Sequence, residues 1–338
     1  MQDHPHLRIP MNRRTLLKSV AAVTVGAPLE SLATAARAGA AGTYHVAVCE
    51  QTRNQILIHP GGPVLWTPAN RLWRWQAPAT SDWNLLSDIK FRETTAFGWV
   101  ALVTASGGRV GIVNMGDGDE LLWSAAPKGN PHSIERIPGI SAVVTASTSP
   151  SDKITYPGFL TVYGPTNSDD PSTLTNVQEI AVEGAQGLWY DGNDLWALGT
   201  WTITKYQVTG SHLDTRLVKV WGHTFPAPDP FNGHSLDADY SDAAYLLVTG
   251  GGSVQRFNKA TGALTRMPQS DSGVKSFSRI ASGESFWQQA SGIGKYSWCN
   301  SEIQFFDSAG NKSFRRSLEG YGYTGQFYRA RLSSVNFS

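Results

Sequence analysis

The sequence predicts an all-β protein, a six-bladed β-propeller whose last strand joins the N-terminal blade and closes the ring. Two observations support this fold class. The composition, with 34 Gly, 18 Pro and 11% aromatic residues but only 16% charged residues, favours many short strands and tight turns. Similar short segments also recur at intervals between 41 residues (His234 to Lys275) and 54 residues (His132 to Gln186), and a period of roughly 40 to 50 residues is typical of propeller blades. A seven-bladed ring is the alternative.

Six pairs of apolar runs predict one β-hairpin in each repeat. The two runs of a pair are usually joined across a turn that contains Gly, Asn or Ser, and such turns connect adjacent antiparallel strands. The first runs are TYHVAVCEQ, GWVALVTAS, SAVVTAST, DLWALGT, AAYLLVTGG and ESFWQQAS. The second runs are NQILIH, RVGIVNM, GFLTVYG, ITKYQVT, SVQRFNK and SEIQFFD.

A shorter segment precedes five of these hairpins, and we assign it to the innermost strand of each blade. The first hairpin lacks such a segment, whereas the C-terminal GQFYRARLS has no hairpin after it. Because a propeller closes by pairing its last strand with its first blade, this exchange fits a closed ring. The five segments are LSDIKFRE, NPHSIERI, AQGLWYDG, GHSLDADY and VKSFSRIA.

Residues 1–40 predict an export signal of the twin-arginine type that is removed from the mature protein. Arg13 and Arg14 precede a short apolar stretch, and the following ATAARAGAAG offers small residues for cleavage. The ordinary secretory route and a chance arginine pair are the alternatives. The apolar run is too short for a permanent transmembrane helix. We therefore expect a secreted or periplasmic protein, without stable membrane insertion, in which residues 41–338 form a single propeller domain.

Charge and cysteine content limit the classes of partner and cross-link. The chain has 28 Lys and Arg against 27 Asp and Glu, a formal net charge of +1, so we do not expect nucleic acid as a partner. Its two cysteines, Cys49 and Cys299, can pair in an export compartment or can each be a buried thiol. We expect a monomer.

One column of polar residues appears when the six innermost segments are aligned. The column contains Asp88, His132, Gln186, His234, Lys275 and Arg329. The first residues of the innermost strands face the central channel near one mouth, so these side chains should converge although they are distant in sequence. Six blades place His132 opposite Lys275, Asp88 opposite His234, and Gln186 opposite Arg329.

This column predicts β-elimination on a uronate-containing polysaccharide or oligosaccharide. Imidazoles exchange protons near neutral pH, so His132 and His234, with Lys275, are the candidate catalytic residues. Guanidinium groups bind carboxylates well, and an acidic glycan or another small anionic ligand is the expected partner. We assign substrate binding to Asp88, Gln186, Arg329, Arg331 and Lys90.

Several alternatives to this chemistry stay open. The charges can form a salt-bridge plug that closes the channel. Separately, Lys90 and Arg331 can be surface charges whose aliphatic stems lie along the protein. Hydrolysis of a glycosidic bond usually needs two carboxylates, and the column offers only Asp88, with Glu135 left open because the sequence does not fix the direction of its side chain. Binding of a glycan or peptide without catalysis is a third alternative. A small-molecule hydrolase such as a lactonase, with a channel Ca²⁺, is a fourth.

No cofactor is assigned from the sequence. Two histidines, a glutamine and Asp88 can hold a divalent ion, but the local spacing matches no metal-binding motif. Ser133 and Ser235 each follow a histidine and are set aside as nucleophiles, because neighbours on a strand point to opposite faces.

Five motifs carry a family resemblance. In chain order LVTASGG, GNPHSIE, LWALG, GVKS and FYRAR resemble an uncharacterised family of secreted bacterial propellers, a domain of unknown function, over nearly all of the mature chain. Gln186 stands where we expect a histidine in such proteins, so a three-histidine metal site is not expected here. More loosely, the architecture is similar to secreted propellers that degrade acidic polysaccharides, such as oligogalacturonate lyases and rhamnose-glucuronate lyases, and this fold-level analogy implies an acidic glycan as substrate.

Overall fold

The computed structural model describes residues 44–149, 157–225, 232–293 and 295–333. The predicted export signal, residues 1–40, lies outside the described residues. None of the helices in the described ranges combines the length and apolar character that crossing a membrane requires.

The described residues contain 24 β-strands. The first twelve are β1 (His45–Glu50), β2 (Gln55–Pro60), β3 (Trp73–Gln76), β4 (Leu86–Thr94), β5 (Gly98–Ala105), β6 (Arg109–Asn114), β7 (Leu121–Ala125), β8 (Asn130–Ile137), β9 (Ala142–Thr148), β10 (Phe159–Gly164), β11 (Thr175–Ala181) and β12 (Gly187–Tyr190). The other twelve are β13 (Asp194–Leu198), β14 (Thr202–Thr209), β15 (Arg216–Thr224), β16 (Ser235–Ala238), β17 (Tyr245–Thr249), β18 (Val254–Asn258), β19 (Leu264–Arg266), β20 (Val274–Arg279), β21 (Ser285–Gln289), β22 (Ile303–Phe306), β23 (Lys312–Arg316) and β24 (Phe327–Leu332).

These strands form six antiparallel sheets of four strands each, which are the six blades of a propeller. Blade 1 has the strand order β24, β1, β2, β3, and blades 2 to 6 each use four consecutive strands, from β4–β7 to β20–β23. The innermost strands are therefore β24, β4, β8, β12, β16 and β20. The predicted six-bladed ring is confirmed, and the seven-bladed alternative is excluded.

Closure of the ring depends on β24, which pairs antiparallel with β1. Leu332 lies opposite Val46 and Phe327 lies opposite Glu50, with a register irregularity between them. This confirms the predicted exchange, in which the C-terminal segment supplies the innermost strand of the first blade. Pairing the two ends of the chain removes the open edge that β1 would otherwise present.

Seven one-turn 3-10 helices lie in the connections of the described residues. They are Pro68–Asn70, Ser81–Trp83, Asp117–Asp119, Pro138–Ile140, Pro171–Thr173, His212–Asp214 and Glu319–Tyr321. Three of them begin with Pro, namely Pro68–Asn70, Pro138–Ile140 and Pro171–Thr173. Pro suits this position, because it fixes a helical φ angle and lacks the N–H that a helix start would leave unpaired.

The core consists of apolar faces packed between neighbouring blades. Between blades 6 and 1, Trp66, Phe286, Phe305 and Phe327 are all buried in one cluster, and Trp66 packs edge-on against Phe327 at 6.1 Å between ring centroids. Fully burying one such side chain stabilises the fold by about 1.5–3 kcal/mol. The blades therefore form a rigid frame around the channel.

Close approach of the innermost strands requires small residues at some positions. A Cβ atom added to Gly187 of β12 would lie 2.8 Å from Cβ of Leu236 on β16, which is closer than packed atoms approach. Gly187 therefore lets blades 4 and 5 converge on the axis directly beside Gln186.

The two cysteines are buried free thiols in this structure. Cys49 lies on β1 and Cys299 follows the loop after β21, and Cys299 Sγ is 3.2 Å from Oε1 of Gln51. Burial raises the pKa of Cys299 to about 12 and raises the pKa of Cys49 well above its usual value. Neither thiol therefore has the character of a nucleophile.

Candidate functional site

Four residues of the predicted column lie at the mouth where the innermost strands begin. His132 and His234 are each 7% exposed, and Gln186 and Lys275 are half-buried beside them. His132 belongs to blade 3, whereas Gln186, His234 and Lys275 come from blades 4, 5 and 6. The predicted convergence of these four side chains is therefore observed, although their catalytic and binding roles stay predictions.

His234 connects its two neighbours through hydrogen bonds. Its Nδ1 lies 3.2 Å from Oε1 of Gln186, and its Nε2 lies 3.0 Å from Nζ of Lys275. Because the Gln186 carbonyl oxygen accepts, Nδ1 carries the imidazole proton and Nε2 accepts from the lysine. Gln186 thus fixes the tautomer of His234, and a proton can pass between His234 and Lys275 through their hydrogen bond.

His132 occupies a separate position across the mouth. Its Nδ1 lies 3.3 Å from the hydroxyl of Tyr328 on β24. Burial, followed by the charges of Arg329 and Lys275, lowers the pKa of His132 to about 3. The imidazole is therefore neutral near pH 7.

The pKa values of the other mouth residues also reflect burial in positive surroundings. Burial and the charges of Lys275 and Arg329 lower the pKa of His234 well below its usual value. Burial and then Arg329 lower the pKa of Lys275 to about 8. The mouth thus combines neutral imidazoles with an amine that loses its proton slightly above neutral pH.

Asp88 and two arginines form a second layer beneath the mouth. Arg331 donates from Nε to Oδ1 of Asp88 at 2.9 Å, and Nη1 of Arg329 lies 3.3 Å from Oδ2 of the same carboxylate. Burial alone would raise the pKa of Asp88, but Arg331, Arg329 and Lys90 lower it below its usual value. All these side chains are at most 3% exposed.

Arg329 also holds the backbone of the mouth. Its guanidinium donates to the carbonyl oxygens of His132 and His234, so one side chain from blade 1 connects blades 3 and 5. The group is fully buried, and its two terminal nitrogens are occupied by protein acceptors. A substrate carboxylate at the mouth cannot reach it without displacing these contacts.

Arg331 and Lys90 lie deeper in the channel. Nη1 of Arg331 is 3.2 Å from Oδ2 of Asp237 on β16. Nζ of Lys90 donates to the carbonyl oxygen of Leu188 at 2.6 Å and lies 3.4 Å from Glu135. Neither is a surface charge, so that alternative is wrong. Ion pairs do fill the channel, which agrees with the plug that the sequence left open.

Two residues of β8 face the channel, and for Ser133 this corrects the prediction. Ser133 does not point away from the channel, because its hydroxyl donates to Oδ2 of Asp88 at 2.9 Å. Glu135 is fully buried and lies 2.7 Å from Arg92. The physical reason is a β-bulge between Pro131 and Ser133, which interrupts the alternation of side chains and turns both residues 133 and 135 inward.

Sequence reasoning missed part of this network. The channel residues that it did not single out are Arg92, Asp237, Ser278 and Tyr328, whereas Ser133 was considered and set aside and Glu135 was considered and left open. A period of two was available as a signal, because polar residues alternate along β4 as Asp88, Lys90 and Arg92, and alternate residues of a strand share one face.

The channel network and Lys275 carry an excess of positive charge. Within the described residues the five cations of this set are Lys90, Arg92, Lys275, Arg329 and Arg331, and its three carboxylates are Asp88, Glu135 and Asp237. Because the protein interior screens charge weakly, the surplus favours an anion at the accessible end of the channel.

Metal ligands are not grouped in the part of the chain that the structure describes. No set of three or more His, Cys, Asp or Glu side chains is arranged there to hold a metal ion. The two mouth histidines instead have Gln186, Lys275 and Tyr328 as neighbours.

Comparisons with known proteins identify the fold and no family. No family model matches the sequence, so the expected resemblance to a domain family has no support from this source, and no curated protein matches it. A Lactobacillus plantarum protein of known structure aligns with 86% of this chain and 99% of its own at 11% identity, with a TM-score of 0.52. A candidate 6-phosphogluconolactonase from Bacteroides fragilis aligns with 86% of this chain and 98% of its own, also at 11% identity and a TM-score of 0.52.

These likenesses support the propeller fold alone. At 11% identity, neither protein carries information about the substrate of this chain. Neither is described as a polysaccharide lyase, so the analogy with propeller lyases keeps only its basis in the shared fold.

Proposed function

We propose that the mouth binds a uronate-containing oligosaccharide or polysaccharide and cleaves it by β-elimination. The observation that carries this proposal is the hydrogen bond of 3.0 Å between Nζ of Lys275 and Nε2 of His234. It places a candidate base at the accessible end of a channel with excess positive charge. The proposed substrate carries a carboxylate next to an acidic C–H bond, which suits both features.

Electrostatics support an anionic substrate. Burial and then the positive charges of Lys275 and Arg329 lower the pKa values of both mouth histidines, and a bound carboxylate would be stabilised by those charges. The side-chain NH₂ group of Gln186 is a neutral donor for that carboxylate, whereas the N–H of His234 already donates to Oε1 of Gln186. Since Arg329 and Arg331 are occupied by protein acceptors, we propose that they, with Asp88 and Lys90, position the mouth strands and do not contact the substrate directly.

The proposed reaction needs no co-reactant. Neutral Lys275 takes the proton from the carbon next to the uronate carboxylate, the electrons of that C–H bond form a C=C double bond, and the glycosidic C–O bond breaks. The leaving oxygen then takes that same proton from the lysine ammonium, which restores neutral Lys275. His234 orients the lysine through the hydrogen bond at Nε2, and neutral His132 can donate a hydrogen bond to the leaving oxygen without giving up its proton.

Glycoside hydrolysis is less well supported by the same residues. It usually requires two carboxyl groups that flank the scissile bond. Asp88 and Glu135 are both fully buried and paired with cations, and neither lies at the mouth.

Binding without cleavage is the second candidate function. It is favoured by the occupied state of Arg329, because a lyase has to stabilise the negative charge that develops on the substrate carboxylate. A mouth that offers only neutral donors and Lys275 can hold an anion and perform no chemistry on it.

Ultraviolet absorbance tests the proposal, because the new double bond is conjugated with the carboxylate and absorbs. The protein is incubated with polygalacturonate, alginate and a glucuronan, and the Lys275→Ala variant is the matched control. We expect an absorbing product from at least one polymer with the parent protein and none with the variant. Reducing sugar without absorbance contradicts the lyase and supports a hydrolase, and binding without either product supports the second candidate.

Export is part of the same proposal, because acidic polysaccharides are met outside the cytoplasm. The paired Arg13 and Arg14 in the first forty residues support it. Fusing residues 1–40 to a reporter that is active only after export should yield activity, and Arg13→Lys with Arg14→Lys should remove it if the route is the twin-arginine one.

A further inference from the structure

A cavity opens on the same face of the ring as the mouth. Its volume is about 760 Å³, which lies within the range of small-molecule binding clefts. Its walls come from the β1–β2 turn, the connection between β3 and β4, and the loop after β21. Its polar and aromatic lining includes Arg53, Asn54, Gln76, Lys295, Tyr296 and Trp298.

Strand pairing places this cleft at the same end of the ring as the mouth. Glu50, where β1 ends, lies opposite Phe327, where the innermost strand β24 begins. Gln289, where β21 ends, lies opposite Val274, directly before Lys275. The turns that follow Glu50 and Gln289 therefore both emerge beside the mouth.

Hydrogen bonds connect one wall of the cleft to the strand of Lys275. The amide of Ala290 donates to the carbonyl of Gly273 at 2.9 Å, two residues before Lys275. Trp298 donates from Nε1 to Oε1 of Gln51 at 3.0 Å, and the side-chain Nε2 of Gln51 donates to the carbonyl oxygen of Leu86 at 2.9 Å. The wall with Trp298 is thus fixed against blades 1 and 2.

The cleft presents an aromatic surface to solvent. Trp298 is 38% exposed, and Tyr296 packs edge-on against it with 5.8 Å between ring centroids. The indole N–H is already satisfied by Gln51, so the exposed part of the ring is apolar. Such a surface suits the C–H face of a sugar ring, which an aromatic π face attracts.

Two cations at the cleft have no carboxylate partner within the described residues. Arg53 stacks on the ring of Tyr323 at 3.8 Å, and Lys295 lies 5.2 Å from the ring of Tyr296. Both are exposed, and neither forms an ion pair in the described ranges. No Asp or Glu occurs among the described lining residues, and the carboxylate of Glu50 is buried beneath the turn, where it accepts from the backbone N–H groups of Thr52 and Arg53.

The floor of the cleft is held in an unusual backbone conformation. Asn54 and Leu85 both have positive φ angles, of 56° and 62°, and a bulky residue such as leucine rarely adopts this region. Asn54 secures the arrangement, because its amide donates to the carbonyl of Trp83 at 2.8 Å and its Oδ1 accepts from the N–H of Leu86. The polar amides of the cleft are thereby preorganised.

We propose that this cleft is a binding subsite for further sugar residues of an acidic oligosaccharide. Trp298 and Tyr296 stack on one sugar ring, Arg53 and Lys295 bind uronate carboxylates, and Asn54 and Gln76 hold the floor through their hydrogen bonds to the protein. The choice of uronates rests on the proposed function, since the chain held in the cleft extends into the mouth.

The test measures binding of uronate oligosaccharides of increasing length to the Lys275→Ala protein, in which the proposed cleavage is absent. Titration calorimetry with oligomers of galacturonate, mannuronate–guluronate and glucuronate is compared with neutral cello-oligosaccharides. The variants are Trp298→Ala and the double change Arg53→Gln with Lys295→Gln. The matched controls are Trp201→Ala, an indole exposed to 36% on blade 4, and Lys312→Gln, an exposed lysine of β23.

We expect each cleft variant to weaken binding of the longer uronate oligomers about tenfold or more, which corresponds to roughly 1.4 kcal/mol. The two controls should bind as the parent does, and neutral oligomers should bind more weakly than uronates. Added salt should weaken binding to the parent and have a smaller effect on the double variant, because the charges that salt screens are gone.

The failure of this subsite and the failure of the lyase give different results. Uronate binding that cleft variants leave unchanged overturns the subsite, whether or not the parent cleaves. If the cleft variants weaken binding and the protein with Lys275 intact gives no cleavage, the subsite is upheld and the lyase is contradicted. Binding of poly-glutamate in preference to every uronate overturns the assignment to a glycan, and no binding of any uronate overturns the subsite outright.

Discussion

Lys275 and His234 are the residues on which the proposed chemistry depends. The sequence predicted that both lie at the mouth, because their segments align with the other innermost strands. It did not predict the hydrogen bond of 3.0 Å between them, since strand alignment fixes where a side chain begins and not where a flexible lysine ends. Their contact was also hidden by a sequence separation of 41 residues.

The pH dependence of activity should follow Lys275. A base acts in its unprotonated form, so cleavage should increase as pH rises through about 8, the lowered pKa of Lys275, and then level off. The measurement is kcat/KM on the best uronate polymer between about pH 6 and about pH 10, a range that brackets this pKa. A profile that rises through the usual range of histidine would assign the base to an imidazole and contradict this role.

The stability of the protein should decrease in acid because of its mouth histidines. The pKa of His132 is about 3 in the folded state and near 6.5 when unfolded, so between these values the unfolded chain binds more protons. Lowering the pH from neutral to about 4.5 should therefore favour unfolding by about 2 kcal/mol through this residue. Urea unfolding of the parent and of His132→Gln at both pH values measures it, and equal pH dependence in the two proteins would contradict the expectation.

The innermost strands are the elements that build the site. Their polar column follows from the repeat, but its division into an accessible mouth and a buried ion-paired channel does not. The bulge in β8 explains the difference, because it turns Ser133 and Glu135 inward although strict alternation predicts otherwise. A single inserted residue in a strand leaves no clear mark in an isolated sequence.

Breaking the buried ion pairs should destabilise the protein strongly. Asp88→Asn removes the carboxylate that Arg329 and Arg331 share, and leaving buried cations unpaired costs about 3–5 kcal/mol. The matched control is Glu302→Gln, which breaks an exposed pair with Arg315 and should cost less than about 1 kcal/mol. Thermal and urea unfolding compare the two variants, and similar losses would show that the channel network is not structural.

The whole molecule depends on joining its two ends through β24. The sequence predicted this closure from one missing inner segment at the N-terminus and one surplus segment at the C-terminus, and the pairing of β24 with β1 confirms it. Six blades were also predictable, because the hairpins could be counted. The cleft beside the mouth could not be found in this way, since its residues come from three unrelated turns with no repeated pattern.

A circular permutant tests this closure. The N–H of Ser333 donates to the carbonyl of His45 at 3.1 Å, so residues 327–333 can be joined to residue 44 by a turn of about two to four residues. We expect a chain that runs through 327–333, the turn and 44–326 to fold with the circular dichroism of the parent. The same chain without 327–333 should not fold, and stable folding of that truncated chain would contradict the structural role of β24.

The origin of the oxygen in the products distinguishes β-elimination from hydrolysis. The parent protein and Lys275→Ala are incubated with the uronate substrate in water enriched in heavy oxygen, and the products are weighed by mass spectrometry. β-Elimination adds no water, so we predict unlabelled products whose masses add up to that of the substrate, formed by the parent and not by the variant. Incorporation of one heavy oxygen at the cleaved bond, or equal cleavage by Lys275→Ala, would contradict the proposed function.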